Sequence, residues 1–376
     1  MARVKLGDVA REYKATIKDT AALPIVGLEH LTPGEITLER WDVGTENTFT
    51  KGFKKGHMLF GRRRAYLKKA ALAPFDGVCS GDITVIEAIP GKINPELLPF
   101  IIQNDLLFDY AVGNSAGSLS PRVKWESLKG YEFELPELAE QDGLVELLKA
   151  AHRTKKAYQK QITATDELVK SQFIEQFVLD KSHPREQLRE NIVEMFIGPF
   201  GSALKNDCFV EEADAYCMVY EQKHAIQKSM DLPTRYVDEK KFRELARFNI
   251  QPGDVIVSCR GTIGEVFVVP DDAPIGIMHP SIMKVRLNRK RYNNVFFALL
   301  LEHYMEEHKQ EANGTGVKMA VSASTLEKEC FVIPEKGIQD AFVAFAEQSD
   351  KSKFELQEAI VRIDNFIKSL IQQDDN

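Results

Sequence analysis

No Cys-x-x-Cys pair occurs anywhere in the chain, and its five cysteines, Cys79, Cys208, Cys217, Cys259 and Cys330, form an odd and scattered set. That pattern suits reduced, mostly buried thiols better than disulfides or a zinc site. Long apolar runs are missing as well. The longest, Val295 to Leu301, falls far short of the roughly 20 residues a membrane-spanning helix needs, and the opening MARVKLGDVAREYK lacks the apolar core of a signal peptide. A cytoplasmic protein is the expectation. Catalytic signatures are equally scarce. There is no GxxxxGK[ST], GxSxG or HExxH, and Gly314-Thr315-Gly316-Val317-Lys318 lacks the spacing and hydroxyl of a phosphate loop. His303 and His308 stand five apart, off a shared helical face, and Asn94-Pro95-Glu96-Leu97 lacks the second proline and the aromatic of a base-flipping methyltransferase loop. Pro270-Asp271 with Glu307 and Lys309 offers no strand that would gather them round one metal. The chain is therefore expected to have no catalytic residue, no metal ligand and no cofactor of its own.

What is present is ordinary for a folded chain of two or three domains: 376 residues, 44% hydrophobic and 28% charged. A net charge of −7 argues against a protein that coats nucleic acid indiscriminately, but leaves room for a local basic face.

The segment Val123 to Gln141, VKWESLKGYEFELPELAEQ, alternates apolar and acidic residues from Tyr131 to Leu135 and stops at Pro136. This predicts a half-buried strand followed by a helix. From Leu138 no proline appears before Pro184, and Leu, Ala, Glu, Lys and Gln dominate. About 40 residues of such composition make a rod of roughly 60 Å. The same segment recurs around Pro334 as VSASTLEKECFVIPEKGIQ, and an offset of 198 aligns Val123 with Val321, Leu128 with Leu326 and Gln141 with Gln339. After the second proline Leu356, Ile360, Ile363, Ile367 and Leu370 step by four and three, the rhythm of a coiled-coil seam. The same offset lands on Tyr158, Ile162, Thr165, Val169 and Gln172. Two stripes in one register predict two long helices packed on each other. Upstream, Lys55 to Arg64 matches Pro252 to Gly261 as a glycine turn, an apolar strand and a basic turn. The expected plan is α+β with an internal pseudo-two-fold repeat. A strand-rich mixed head spans residues 1–136, a long helix 137–180, a linker and second head 181–335, and a second long helix 336–376. One chain then holds two unlike heads that could read two unlike half-sites, as a dimeric DNA reader does with two chains.

Basic turns carry the positive signal. Lys54, Lys55, Arg62, Arg63, Arg64, Lys68 and Lys69 fall in a stretch free of acids and interleaved with Phe53, Phe60 and Tyr66. Ser118, Ser120, Arg122 and Lys124 form a second basic, hydroxyl-rich loop. Such residues displace counterions from phosphates, and arginine fits guanine edges. The matching loops of the second copy are poorer: Ser258, Arg260 and Thr262 in one, Thr315 and Lys318 in the other, with Lys205 a further candidate. A two-headed adaptor that binds polypeptides is the competing expectation, supported by the acidic balance and the weaker charge of the second copy.

Five stretches taken in order within the repeat resemble the specificity subunits of type I restriction-modification enzymes. They are Pro24 to Glu29, Phe75 to Asp82, Leu135 to Gln141, Gly198 to Lys205 and Gly253 to Gly264. The first copy lacks the Gly-Pro-Phe-Gly-Ser turn of the second, and the second reads Glu335-Lys336-Gly337-Ile338-Gln339 where the first reads Glu137-Leu138-Ala139-Glu140-Gln141. The resemblance covers nearly the whole chain. It implies two target recognition domains, each reading half of a split double-stranded DNA sequence, with two antiparallel helices setting the unspecified spacer. It also implies a non-catalytic subunit that binds two modification (methyltransferase) subunits and, through them, ATP-dependent restriction subunits. S-adenosylmethionine, ATP and Mg are then expected in those partners.

Overall fold

The computed structural model describes residues 2–20, 22–45, 47–315 and 322–371. It divides into two compact units, Met1–Ile162 with Phe354–Asn376, and Thr163–Lys353. The units are not simple segments of the chain. Each takes one head and a stretch of both long helices, because contacts and not chain order decide what is compact.

In the first unit the strands are β1 (Ala2–Lys5), β2 (Ala10–Glu12), β3 (Pro24–Val26), β4 (Asp42–Val43), β5 (Lys51–Phe53), β6 (Met58–Gly61), β7 (Ala70–Leu72), β8 (Gly77–Cys79), β9 (Ile83–Ala88), β10 (Ser115–Ala116), β11 (Arg122–Val123) and β12 (Glu132–Leu135). One four-stranded sheet has the order β2-β9-β6-β7, a second β4-β3-β8-β5, and β1 pairs with β12. The second unit holds β13 (Arg185–Gln187), β14 (Ile192–Ile197), β15 (Cys217–Tyr220), β16 (Tyr236–Val237), β17 (Asn249–Ile250), β18 (Val255–Ser258), β19 (Val266–Val268), β20 (Gly276–Met278), β21 (Ile282–Leu287) and β22 (Cys330–Val332). Its orders are β14-β21-β18-β19 and β16-β15-β20-β17, with β13 on β22. The two plans coincide strand for strand except for the β10–β11 pair, which has no counterpart among the described residues of the second unit. The match extends to the single parallel pairing in each second sheet, β3 with β8 and β15 with β20.

The apolar run of β6 follows from its place between two cores. Met58 and Phe60 point into one hydrophobic cluster and Leu59 into the other, so both faces of the pleat are covered. In β18, Val255 and Val257 face one cluster and Ile256 another. At β12, by contrast, Phe133 and Leu135 are buried while Glu132 and Glu134 face water, as the alternation in the sequence requires.

The long helices are Leu138–Phe173 and Lys336–Ile371, 36 residues each, or about 54 Å at the usual rise. The first runs on into a π-helical turn, Ile174–Leu179. Within each unit the two helices lie antiparallel. In the first, Leu144 and Leu370 line one small cavity and Lys155 reaches Asp364 at 2.6 Å. In the second, Lys353 pairs with Asp166, and Phe173 meets Phe342 with ring centres 5.5 Å apart. Among the described residues no helix is long and apolar enough to cross a membrane. All five cysteines are free; Cys79 and Cys217 are buried, Cys208 and Cys259 half-buried and Cys330 exposed. Burial pushes the Cys79 thiol up to about 12 and those of Cys217 and Cys259 to about 11.

Each head is joined to its helix by a buried glutamine. Gln141 donates from Nε2 to the Pro136 carbonyl at 2.9 Å and accepts at Oε1 from the Asn94 N–H at 2.7 Å. Asn94 in turn donates to Asp142 at 2.7 Å and accepts from the Glu96 N–H at 2.8 Å, just ahead of helix Leu98–Ile102. The second unit repeats every bond. Gln339 donates to Pro334 at 2.8 Å and accepts from the Asn293 N–H at 2.9 Å, and Asn293 donates to Asp340 at 2.8 Å. Gln141 and Gln339 are 1% and 0% exposed, so neither bond can be exchanged for water. Replacing Gln141 by Ala strands a buried N–H and a buried carbonyl and is expected to destabilise the first unit by about 2 kcal/mol. Urea unfolding should show a lower midpoint with an unchanged slope, and Gln339→Ala should act alike on the second unit.

Candidate nucleic-acid interface

In the first unit β6 ends at Gly61 and the chain turns through Arg62, Arg63 and Arg64. The turn hangs on the start of β9 by the Arg62 N–H to the Asp82 carbonyl, 2.9 Å. Arg64 and Lys68 take left-handed backbone angles, φ 53° and 50°, on either side of the single 3-10 turn Ala65–Leu67. A non-glycine residue held there costs about 1 kcal/mol, which surrounding contacts must offset. They do so through the loop that β10 and β11 enclose. The Arg64 N–H donates to the Pro121 carbonyl at 2.8 Å and the Val123 N–H to the Arg62 carbonyl at 3.0 Å, so Arg63 lies opposite Arg122 in an antiparallel bridge. Two basic loops far apart in the chain become one surface.

Like charges placed opposite each other repel, and Asp82 relieves this. Arg122 holds it by both branches of the guanidinium, Nε at 2.7 Å and Nη2 at 3.2 Å, and Arg63 stands 3.6 Å away while donating to Ser120 Oγ at 3.1 Å. The hydrogen bond from Arg122 keeps the Asp82 carboxyl below the usual carboxylate range despite its partial burial. Arg64 and Lys124 are exposed and enter no ion pair among the described residues. The surface thus carries Arg62, Arg63, Arg64, Arg122 and Lys124 around one acid, with Ser118 exposed and Ser120 half-buried beside them.

Other predicted contacts lie apart from it. Lys54 and Lys55 are exposed but precede β6, at the opposite end of the strand from the arginines. Lys68 pairs with Asp105 at 2.6 Å, a carboxylate that also receives Lys368 at 2.8 Å. Lys69 donates to the Leu28 carbonyl at 2.7 Å. Both lysines are thus engaged in holding the head together.

The second unit builds the equivalent turn on the equivalent bond, the Cys259 N–H to the Ser281 carbonyl at 2.8 Å. Arg260 and Thr262 are exposed on it. Ser258 is a correction to the sequence reading. It is 0% exposed, and its hydroxyl donates to the Thr262 carbonyl at 2.6 Å and accepts from the Glu265 N–H at 2.9 Å, so it shapes the turn and cannot meet a ligand. Beside the turn runs the loop Gly198 to Lys205. Its Gly198 N–H donates to the Ile282 carbonyl at 2.9 Å, and a Cβ at Gly198 would stand 2.2 Å from the His279 carbonyl oxygen, so only glycine allows this approach. Lys205 is exposed at the far end of that loop. Thr315, expected in a loop, is instead the last residue of helix Asn294–Thr315, which continues the apolar run from Val295. Lys318 lies outside the described residues.

Along the long helices Tyr158, Ile162, Thr165, Val169 and Gln172 are half-buried, as are Leu356, Ile360, Ile363, Ile367 and Leu370. Sequence reasoning missed the ion pairs beside this seam. Lys155 with Asp364 and Lys353 with Asp166 are one pair occurring twice at the offset of 198, with the helices exchanging roles. The offset that aligned the stripes would have found it. Asp82 was also missed as the organising acid. Among the described residues no cluster of His, Cys, Asp and Glu could hold a metal ion.

Because the Asp82 pKa is depressed in the fold, its stabilising contribution is present above the unfolded value, about 4, and is lost as pH falls through the lower folded value. Asp82→Asn should therefore be less stable than the parent at pH 6, and the gap should close as pH is lowered toward 2.5. Urea midpoints measured across that range check this; a gap independent of pH would contradict the assignment.

Residues 221–362 match the family model described as the type I restriction modification DNA specificity domain. Comparison with curated proteins yields no match. Two solved structures share the fold over nearly the full length. One comes from work on the structural basis of complex assembly and conformational transition of a type I R-M system, with 18% identity, 98% of this chain and 96% of that chain covered, and a TM-score of 0.63. The other is the type I restriction-modification S subunit from M. genitalium, with 13% identity, 99% and 96% coverage, and a TM-score of 0.56. The second unit thus matches the DNA specificity domain of type I restriction-modification systems, and the first unit repeats its strand plan.

Proposed function

We propose that this chain is the DNA specificity subunit of a type I restriction-modification system, which reads a bipartite, asymmetric DNA sequence, one half with each head, and carries methylation and restriction subunits to it. The observation that supports this most is the pair of turns grown from the same place in two matching sheets. Arg62 to Arg64 follows β6 and Cys259 to Thr262 follows β18, each tied to the strand that starts nearby. Equal scaffolds imply equal tasks, and unequal side chains imply unequal half-sites. Three adjacent arginines braced against Arg122 suit a guanine-rich edge or a dense set of phosphates, whereas Arg260 with Thr262 makes a sparser contact. The two long helices, equal at 36 residues, set the unread gap.

On this reading two modification subunits dock on the subunit, and a restriction subunit joins through them. S-adenosylmethionine, ATP and Mg are held by those partners, and the complex works in the cytoplasm. The likeness of the fold to a structure from a type I R-M complex and to an S subunit supports the partnership.

Two tests address the heads. Exchanging residues 1–136 for the corresponding head of another member should change one half of the methylated motif and leave the other half and the gap intact. A change in both halves would contradict the division of labour. Arg64→Gln removes a charge that no acid of the described chain neutralises. It should weaken binding to site and non-site DNA about equally, and should reduce the slope of log affinity against log salt by about one. Loss of preference at a single base pair would instead make Arg64 a base reader.

A further inference from the structure

Among the described large hydrophobic residues, two are almost fully exposed, Leu119 at 90% and Phe200 at 89%; the next, Val193, is at 67%. One lies in each unit, and each sits beside that unit's basic turn. Leu119 stands between Ser118 and Ser120. Its loop is braced by the Ser120 hydroxyl accepting from Arg63, by the Pro121 carbonyl accepting from Arg64, and by Gly117 at φ 114°. Phe200 stands between Pro199 and Gly201. Its loop is pinned by Gly198 against the His279 and Ile282 carbonyls, and its own carbonyl accepts from Ala203 at 2.8 Å to start the 3-10 turn Gly201–Ala203. The arginine-bearing turn of the second unit hangs on Ser281, in that same His279 to Ile282 segment. The two loops occupy different places in the repeat, so the shared arrangement is not a by-product of duplicated sequence.

A mobile loop would fold such side chains back onto the protein. These backbones are braced, and each keeps an apolar tip in water beside the basic turn of its unit, with several cations at the rim in the first head and Arg260 on the neighbouring turn in the second. Duplex DNA offers a matching pattern: phosphates for the rim and, deeper in the groove, thymine methyl groups and the faces of partly unstacked bases for the tip. We propose that Leu119 and Phe200 are specificity-determining contacts, apolar probes that enter the DNA groove and touch bases in the half-site of their own head. This rests on the reading of the chain as a DNA-recognition subunit.

The test uses the full chain assembled with its modification subunits, a duplex carrying its mapped site and a duplex lacking it. Leu119→Ala and Phe200→Ala should each lower affinity for the site about tenfold, the effect of losing one stacking or methyl contact. Affinity for the other duplex and the salt slope should stay unchanged, because an apolar contact releases no counterions. Discrimination should relax in one half-site only, the first for Leu119 and the second for Phe200, and Phe200→Leu should retain most of the affinity. Three results overturn the proposal: unchanged affinity and motif, equal loss on both duplexes, or failure of the variant to co-elute with its partners, which would make the tips protein contacts. A parent complex that prefers no duplex sequence would overturn the DNA reading itself, and that result is distinct from the other three.

Discussion

At each junction one buried side-chain amide ties the head to the start of its long helix. Gln141 must accept a hydrogen bond from the Asn94 N–H and donate one to the Pro136 carbonyl at the same time. Among side chains of that length only an amide has both functions; a carboxylate has acceptors alone and an ammonium donors alone. The bonds are buried, so the strand end, the helix start and the turn before helix Leu98–Ile102 are fixed to one another. Gln339 with Asn293 and Pro334 fixes the same three elements in the second unit. A head that swivelled at this joint would lose any defined relation to its helix pair.

From that joint outward the structure separates rigid support from variable contact. The exchanged ion pairs, Lys155 with Asp364 and Lys353 with Asp166, are the same in both units. The surfaces at the ends of β6 and β18 are not. An acidic protein of net charge −7 thereby concentrates cations on one turn of its first head, and a single acid, Asp82, orders them without neutralising them. The second head places its buried charge elsewhere. Lys284, 0% exposed, is held by Glu194 at 2.6 Å and the Asn249 carbonyl at 2.8 Å inside the sheet, which stiffens the scaffold and presents nothing to a ligand.

Much of the architecture was legible because it repeats. An offset of 198 residues exposes the strand, the proline and the helix together, and a four-three stripe that recurs in register specifies the half-buried positions on both helices. The arginine turn was legible from local composition. What stayed hidden depends on long-range pairing. Asp82 meets Arg122 only because β9 starts beside β11, and Lys68 looked free because its partner Asp105 lies in the distant helix Asp105–Gly113. Ser258 was read as a hydroxyl offered to DNA, since residue type does not reveal that strand and turn enclose it. Thr315 followed a run of turn formers, yet the helix that starts at Asn294 carries through to it. Lys284 sits in Ile282–Leu287, where alternation alone would have placed it in water.

On the proposed reading one chain uses two matched but unlike heads to read two separated half-sites. Mapping methylated adenines across the genome of cells that express this subunit with its modification partner tests it most directly. The expected result is one motif in two unequal parts separated by a gap of constant length. A continuous motif, or a perfectly palindromic one, would contradict it.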